Sequence, residues 1–136
     1  MIIGVVGLEL NAIAYFVDGN NQIYTPIVNA FNEYAEMEEL DIHVNLNFFS
    51  PQNSTVESED FEATVESLLK KPGEKYDIYF YDSLYTQIYA PYLYNLRELL
   101  PDDYIDIYDS NILSETCKYN DAIVGLVNFN YTFIKI

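Results

Sequence analysis

The sequence of 136 residues is 50% hydrophobic, which is enough for a single domain with a core and excludes a disordered chain. It contains 22 acidic residues against 6 basic ones, a formal net charge of −16. A surface of that sign repels nucleic-acid backbones and anionic membranes. We therefore expect no nucleic-acid partner, and we favour neutral or cationic ligands.

The sequence motifs of common enzyme chemistries are missing. There is no glycine-rich nucleotide loop, no phosphate loop and no Gly-x-Ser-x-Gly elbow. Cys117 is the only cysteine and His43 the only histidine, so the sequence predicts no nucleophilic triad, no internal disulfide and no metal site. We expect a protein without enzyme activity and without a cofactor. Acidic pairs such as Asp102-Asp103 keep one alternative open, a fragment of a secreted carbohydrate-acting hydrolase.

The first eight residues are apolar but lack a basic start, and they are too few to cross a bilayer. We interpret residues 1–8 as the remnant of a signal peptide, because Leu10–Val17 already supplies a strand of its own. The alternative is that they begin a buried strand. Asp18-Gly19-Asn20-Asn21 then forms a dense turn signal before the first helix.

Hydrophobic periodicity along the rest of the chain alternates between strand and helix. This order predicts an α/β fold, a three-layer lobe with a parallel central sheet between helices. The predicted central strands are Leu10–Val17, Ile42–Phe49 and Tyr76–Tyr81. The expected core positions are Tyr15, Ile27, Phe31, Val44, Leu46, Phe61, Val65, Leu68, Ile78 and Phe80.

The last third of the chain predicts only short elements. Pro91 ends a weak helix, and further small helices follow it. Asn120-Asp121 predicts a two-residue hairpin turn between the segments 116–119 and 122–124. His43 lies on the polar side of its strand, where we expect a solvated side chain rather than a ligand or base.

The candidate ligand site follows the strand Tyr76–Tyr81, which runs directly into the helix N-cap signal Asp82-Ser83. In open α/β sheets the ligand crevice lies beyond the carboxyl ends of the strands. Tyr81, Asp82, Ser83 and Tyr85 would therefore meet a ligand. The alternative is a core strand that ends in an ordinary helix cap.

Five segments, in a fixed order across nearly the whole chain, carry a resemblance to a known family. The segments are Ile27–Glu33, Leu40–Val44, Tyr76–Tyr81, Tyr94–Leu99 and Cys117–Leu126. They resemble the first helix, the second strand, the Pro-Asp-Val/Ile strand, the Leu-x-x-Leu segment and the Tyr-Asn-Gly-Lys-Leu-Tyr-Gly-Leu-Pro hairpin of extracellular solute-binding proteins. These proteins serve sugar transporters and have the type II periplasmic-binding fold. The chain is most similar to eukaryotic versions, in which the domain precedes a seven-helix receptor-like membrane region.

The resemblance implies a ligand, a mechanism and a location. Two lobes would close on a small molecule, most simply a neutral saccharide, for uptake or for sensing. By the family's logic Tyr81 stacks on the sugar, with Asp82, Ser83 and Tyr85 as polar neighbours, and Asp18 and Gly19 face the same cleft. The location would be extracellular or at the cell surface, with a membrane-embedded partner or a fused transmembrane region. A surface interaction domain without a small ligand is a further alternative.

The sequence also departs from the family pattern. Val127 and Tyr76 each stand where the family has proline, and Ile136 ends the sequence about where the family crosses to its second lobe. We therefore expect residues 9–136 to form a partial N-terminal lobe with an incomplete fold. Two sequons, at Asn53 and Asn130, permit N-glycosylation of a secreted chain.

Overall fold

The computed structural model describes residues 7–15, 23–50, 58–71, 73, 75–128 and 132–134. Asp18, Gly19, Asn53 and Asn130 lie outside these ranges, and so do residues 1–6, which are most of the segment predicted to be a signal-peptide remnant. The strands are β1 Leu8–Tyr15, β2 Ile42–Phe49, β3 Ile78–Asp82, β4 Lys118–Tyr119, β5 Ala122–Ile123, β6 Leu126–Asn128 and β7 Thr132–Ile134. The helices are α1 Tyr24–Met37, α2 Ser58–Leu69, α3 Thr86–Tyr89, α4 Leu96–Leu99, α5 Asp102–Asp106 and α6 Ser110–Thr116.

The main sheet has five strands in the order β2-β1-β3-β7-β6. β1 pairs with β2 and β3 in parallel, while β7 runs antiparallel to β3 and to β6. Next to the paired residues of β1 and β3, Asp77 extends the ladder: its backbone N–H donates to the carbonyl of Asn11, and its carboxylate accepts from the Asn11 N–H, both at 2.8 Å. The predicted α/β fold with three parallel central strands is confirmed.

The strand boundaries agree with the prediction to within about two residues. β2 matches it, β3 begins two residues later than expected, and β1 begins at Leu8 rather than Leu10. The two short antiparallel strands β6 and β7 were not predicted, because segments of three residues carry too little periodicity to be recognised.

Helices cover both faces of the sheet. On one face α1 packs with Tyr24 and Val28 over the small residues Ala12 and Ala14 of β1, and the Tyr24 ring lies 4.3 Å from that of Phe80. On the other face the side chains of β1 and β3 pack against α2 and the short elements that follow it. That larger core contains Ile13, Phe61, Val65, Leu69, Tyr76, Tyr79, Tyr81, Tyr89, Leu96, Ile105, Leu113, Cys117 and Ile123.

The side of α1 that is buried differs from the prediction. Tyr24, Val28 and Ala35 are buried, whereas Phe31, expected in the core, is 37% exposed. The physical reason lies at Asn32, whose side-chain amide donates to the carbonyl of Val44 at 2.9 Å and accepts from its N–H at 2.8 Å. These two bonds turn α1 so that Asn32, and not the Phe31 side, points toward the sheet.

The other nine expected core positions divide into four that are buried and five that are half-buried. Val44, Phe61, Val65 and Phe80 are buried, and the remaining members of the predicted set are half-buried. His43 is exposed, as expected. The predicted hairpin is present as β4 and β5, and Asn120 in its turn has a φ of 52°, a left-handed conformation that asparagine tolerates better than most residues.

Candidate functional site

The carboxyl end of β3 is fixed by a helix cap. Asp82 has extended backbone dihedrals, and its Oδ1 accepts a hydrogen bond from the backbone N–H of Leu84 at 3.0 Å. A 3-10 turn over Ser83–Tyr85 leads from this cap straight into α3. Asp82 is exposed, and an ionised carboxylate accepts several hydrogen bonds, so the capping bond leaves acceptor capacity toward solvent.

The rings of three tyrosines at this turn, Tyr81, Tyr85 and Tyr89, form a continuous aromatic cluster. The Tyr81 and Tyr89 rings meet edge to face at 5.2 Å and 84°, and the Tyr85 ring lies 5.9 Å from that of Tyr89. The Tyr89 hydroxyl donates a hydrogen bond to the carbonyl of Glu62 at 3.4 Å, and this bond connects the aromatic cluster to α2. The half-buried Tyr85 is the member of the aromatic cluster that reaches the surface.

The position of Tyr81 differs from the expected one. Its side chain is only 5% exposed and belongs to the larger core, so its ring supports Tyr89 instead of offering an open face. Burial raises the pKa of both Tyr81 and Tyr89, and for Tyr81 a hydrogen bond with Thr86 works against that rise. Both phenols are therefore neutral at physiological pH.

The last residue of α6 and the first residue of the hairpin hold α3 from the side. The Thr86 hydroxyl donates to the carbonyl of Thr116 at 2.8 Å, and the Gln87 side-chain amide donates to that of Lys118 at 3.2 Å. Thr86 is itself buried. The turn that carries Asp82, Ser83 and Tyr85 is therefore held at both of its ends, by the cap at Asp82 and by the bonds that Thr86 and Gln87 make to α6 and to the hairpin.

The neighbouring strands bring further aromatic residues to the same edge of the sheet. β1 ends at Tyr15 and β2 at Phe49, and their rings lie 4.9 Å and 6.2 Å from that of Phe61. The sequence prediction placed Tyr15 in the core and did not include it in the site. Tyr15 can be identified as a neighbour of the site from its position at the end of β1, since the carboxyl ends of parallel strands meet at one edge of the sheet.

Two cavities among the described residues lie away from this edge. One of about 610 Å³ lies between α1 and the amino ends of β1 and β2, where Glu9, Glu36 and Asp41 line it. The other, about 470 Å³, lies among α4, α5, α6 and the hairpin. Neither is lined by Tyr81, Asp82, Ser83 or Tyr85, so neither of these two cavities is the crevice predicted at the end of β3.

Comparison with known proteins supports the fold. No family model and no curated protein matches the sequence. Among solved structures, the chain is similar to maltose-bound MalE3 of T. maritima, with a TM-score of 0.62 and 16% sequence identity. The similarity covers 88% of this chain but only 28% of that one. At this identity the likeness shows the fold alone, an α/β lobe like the matching part of that protein.

Proposed function

We propose that the chain forms one wall of a cleft that binds a neutral saccharide outside the cell, for uptake or for sensing. The observation that carries the proposal is the capped turn after β3, which carries the exposed carboxylate of Asp82 and, three residues later, the half-buried ring of Tyr85 that packs on Tyr89. The structural similarity to a protein with bound maltose supports the choice of ligand class.

The chemistry of the turn suits a sugar. The apolar face of a sugar ring packs on an aromatic ring, and its hydroxyls donate to a carboxylate, which is a stronger acceptor than a neutral oxygen. Because Tyr81 is buried, we propose that the sugar packs on the ring of Tyr85. The ring of Tyr81 would then support the aromatic cluster from within the core. Asp82 and Ser83 are the proposed hydrogen-bonding groups, and Asp18 and Gly19, which follow β1 in the sequence, remain proposed neighbours.

Binding without catalysis is the mechanism we propose. The structurally similar protein is described by its bound maltose, and the raised pKa values of Tyr81, Tyr89 and Cys117 belong to groups that burial keeps neutral. None of the helices in the described part of the chain is long and apolar enough to cross a membrane. A membrane-embedded partner and glycosylation at Asn53 and Asn130 remain proposals.

The test is an NMR titration of the chain with maltose and other neutral sugars. We expect affinity on the order of millimolar, because a single wall offers few contacts to offset the entropy lost on binding. Shift changes should centre on residues 82–86. Tyr85→Ala should remove them, whereas Tyr104→Ala, at a 63% exposed tyrosine on α5, should leave them in place.

Two results contradict the proposal. One is a sugar that binds with the same affinity to the Tyr85→Ala protein, and the other is a set of shift changes centred elsewhere. Tyr81→Ala is a poor variant for this purpose, since removing a buried ring is expected to reduce stability as well as binding.

A further inference from the structure

One side of α1 carries a row of apolar side chains that no described residue covers. Ile23, Phe31, Tyr34 and Met37 are 40%, 37%, 54% and 81% exposed. Successive members lie eight, three and three positions apart, which places them on one side of the helix, next to the half-buried Ile27. We call these four residues the apolar stripe. A contiguous row of this kind on a soluble protein is typical of an interaction surface.

The described residues cover only part of the sheet face on which α1 packs. The smaller core consists of residues from α1 and from the three parallel strands, and within the described ranges no second helix contributes to it. Leu10, Leu46, Phe48 and Ile78 at its margin are only half-buried. There is therefore apolar surface beside α1 as well as on it, which a second helix packed alongside would bury.

The charges around the apolar stripe define the partner. Residues 1–69 contain 12 acidic residues and no lysine or arginine. Glu33, Glu36 and Glu38 of α1 and its C-cap are exposed, and Glu33 lies one helical turn from Met37. The ion pairs seen among the described residues involve Lys70, Arg97 and Lys118, none of which belongs to this part of the chain.

This charge argues against a second copy of the chain as the occupant. Glu38 lies four positions after Tyr34, so two copies that met through their stripes would bring the Glu33 and Glu38 carboxylates of both together, and juxtaposed like charges cost affinity. A partner that buries the stripe has to supply the missing cations.

We propose that the apolar stripe is a docking surface for an amphipathic helix of another protein, with lysine or arginine bordering its apolar face. Side chains spaced four apart on α1 form the ridges against which a second helix packs at about 8–10 Å. α1 has 14 residues, which corresponds to about 21 Å of helix, a length that four turns of a partner cover. This surface lies on the opposite face of the sheet from the larger core and is independent of the proposed sugar site.

The experiment uses a synthetic helical peptide of about 18 residues, long enough to be helical, with leucine on one face and lysine on the other. Binding to the chain is measured by calorimetry at low and at physiological salt. A second peptide keeps the leucine face but replaces lysine with glutamate. We expect the lysine peptide to bind, the glutamate peptide not to bind, and affinity to fall as salt increases.

Matched variants locate the binding surface. Tyr34→Gln with Met37→Gln should weaken binding of the lysine peptide about tenfold or more, because both side chains lie in the apolar stripe. The control pair Tyr104→Gln with Ile107→Gln changes residues of the same kinds that are 63% and 77% exposed on and just after α5. That pair should leave the affinity within about twofold, the size of a surface effect. Circular dichroism checks that all variants are folded.

Four outcomes overturn the proposal. They are no binding of the lysine peptide, equal binding of both peptides, equal losses from the stripe pair and the control pair, and self-association that the stripe pair abolishes. Equal losses would show nonspecific attraction to an acidic protein, and the last outcome would make the occupant a second copy.

Discussion

Cys117 shows how burial changes the chemistry of one side chain. It is fully buried, and this burial raises the pKa of its thiol from 9.0 to about 11, against a weaker opposing contact with the Thr116 hydroxyl. A thiol in that state is neutral at physiological pH and a poor nucleophile. Within the described part of the chain it is a free cysteine, and it packs as a small apolar residue between α3, α6 and the hairpin.

The thiol predicts a specific pH dependence of stability. The unfolded chain releases the proton near pH 9 and the folded chain only near pH 11, so the folded state holds more protons between those values. The contribution of Cys117 is therefore complete below pH 9 and is lost as the pH rises through 11. Urea unfolding of the natural chain and of Cys117→Ala should show that the natural chain loses more stability over this interval.

Tyrosines ionise in both proteins, so their contribution cancels in that comparison apart from the small coulombic effect of Cys117 on the pKa of Tyr81. Parallel curves for the natural chain and the variant would contradict the prediction, because they would mean that the thiol titrates alike in the folded and the unfolded state.

At the scale of elements, the position of α1 can be tested with a matched pair of phenylalanines. Phe61 on α2 is 8% exposed and contacts the rings of Tyr15 and Phe49, whereas Phe31 on α1 is 37% exposed. We expect Phe61→Ala to reduce the free energy of unfolding by about 3–5 kcal/mol, the range for a buried phenylalanine. Phe31→Ala should cost under about 1 kcal/mol. Equal losses in urea titrations would mean that α1 faces the sheet differently.

The strands were predictable from sequence, but the rotation of α1 was not. β2 alternates apolar and polar residues from Ile42 to Phe48, so its period identifies it. Along α1, apolar residues occupy two adjacent sides, one with Phe31 and one with Val28, and periodicity does not choose between them. The choice depends on the contact of Asn32 with Val44, a tertiary interaction that is absent from local sequence.

The candidate site was predictable in part for the same reason. The cap at Asp82 follows from local chemistry, and the structure has it. The burial of Tyr81 does not follow, because β3 is covered on both faces and its sequence shows no exposed side. Only the packing of Tyr89 against Tyr81 reveals which tyrosine remains accessible.

At the scale of the whole molecule, charge is distributed very unevenly. Residues 1–69 hold 12 acidic residues without a basic one, whereas residues 70–136 hold 10 acidic and all 6 basic residues. Unpaired like charges in a compact state repel one another and lower its stability, and dissolved salt screens them.

The molecule should therefore become more stable as salt is added. We expect the midpoint of thermal unfolding to rise between about 10 mM and 150 mM NaCl, over which the screening length falls from about 30 to 8 Å. Glu38→Lys, which places a cation at the C-terminal end of α1, should stabilise the chain at low salt by about 0.3–1 kcal/mol. Glu38→Gln is the control for loss of the negative charge alone. A midpoint that does not change with salt would contradict the prediction.

The two hydrogen bonds between Asn32 and Val44 have a consequence for assembly. β2 is the outermost strand of the sheet, and an outer strand offers its backbone groups to any other extended chain. The Asn32 amide supplies one donor and one acceptor, so at Val44 it imitates the next strand. An incoming chain has to displace that side chain before it can add to the sheet. A single asparagine on a helix thus blocks strand pairing at Val44, where many proteins place a charge or a proline within the outer strand itself.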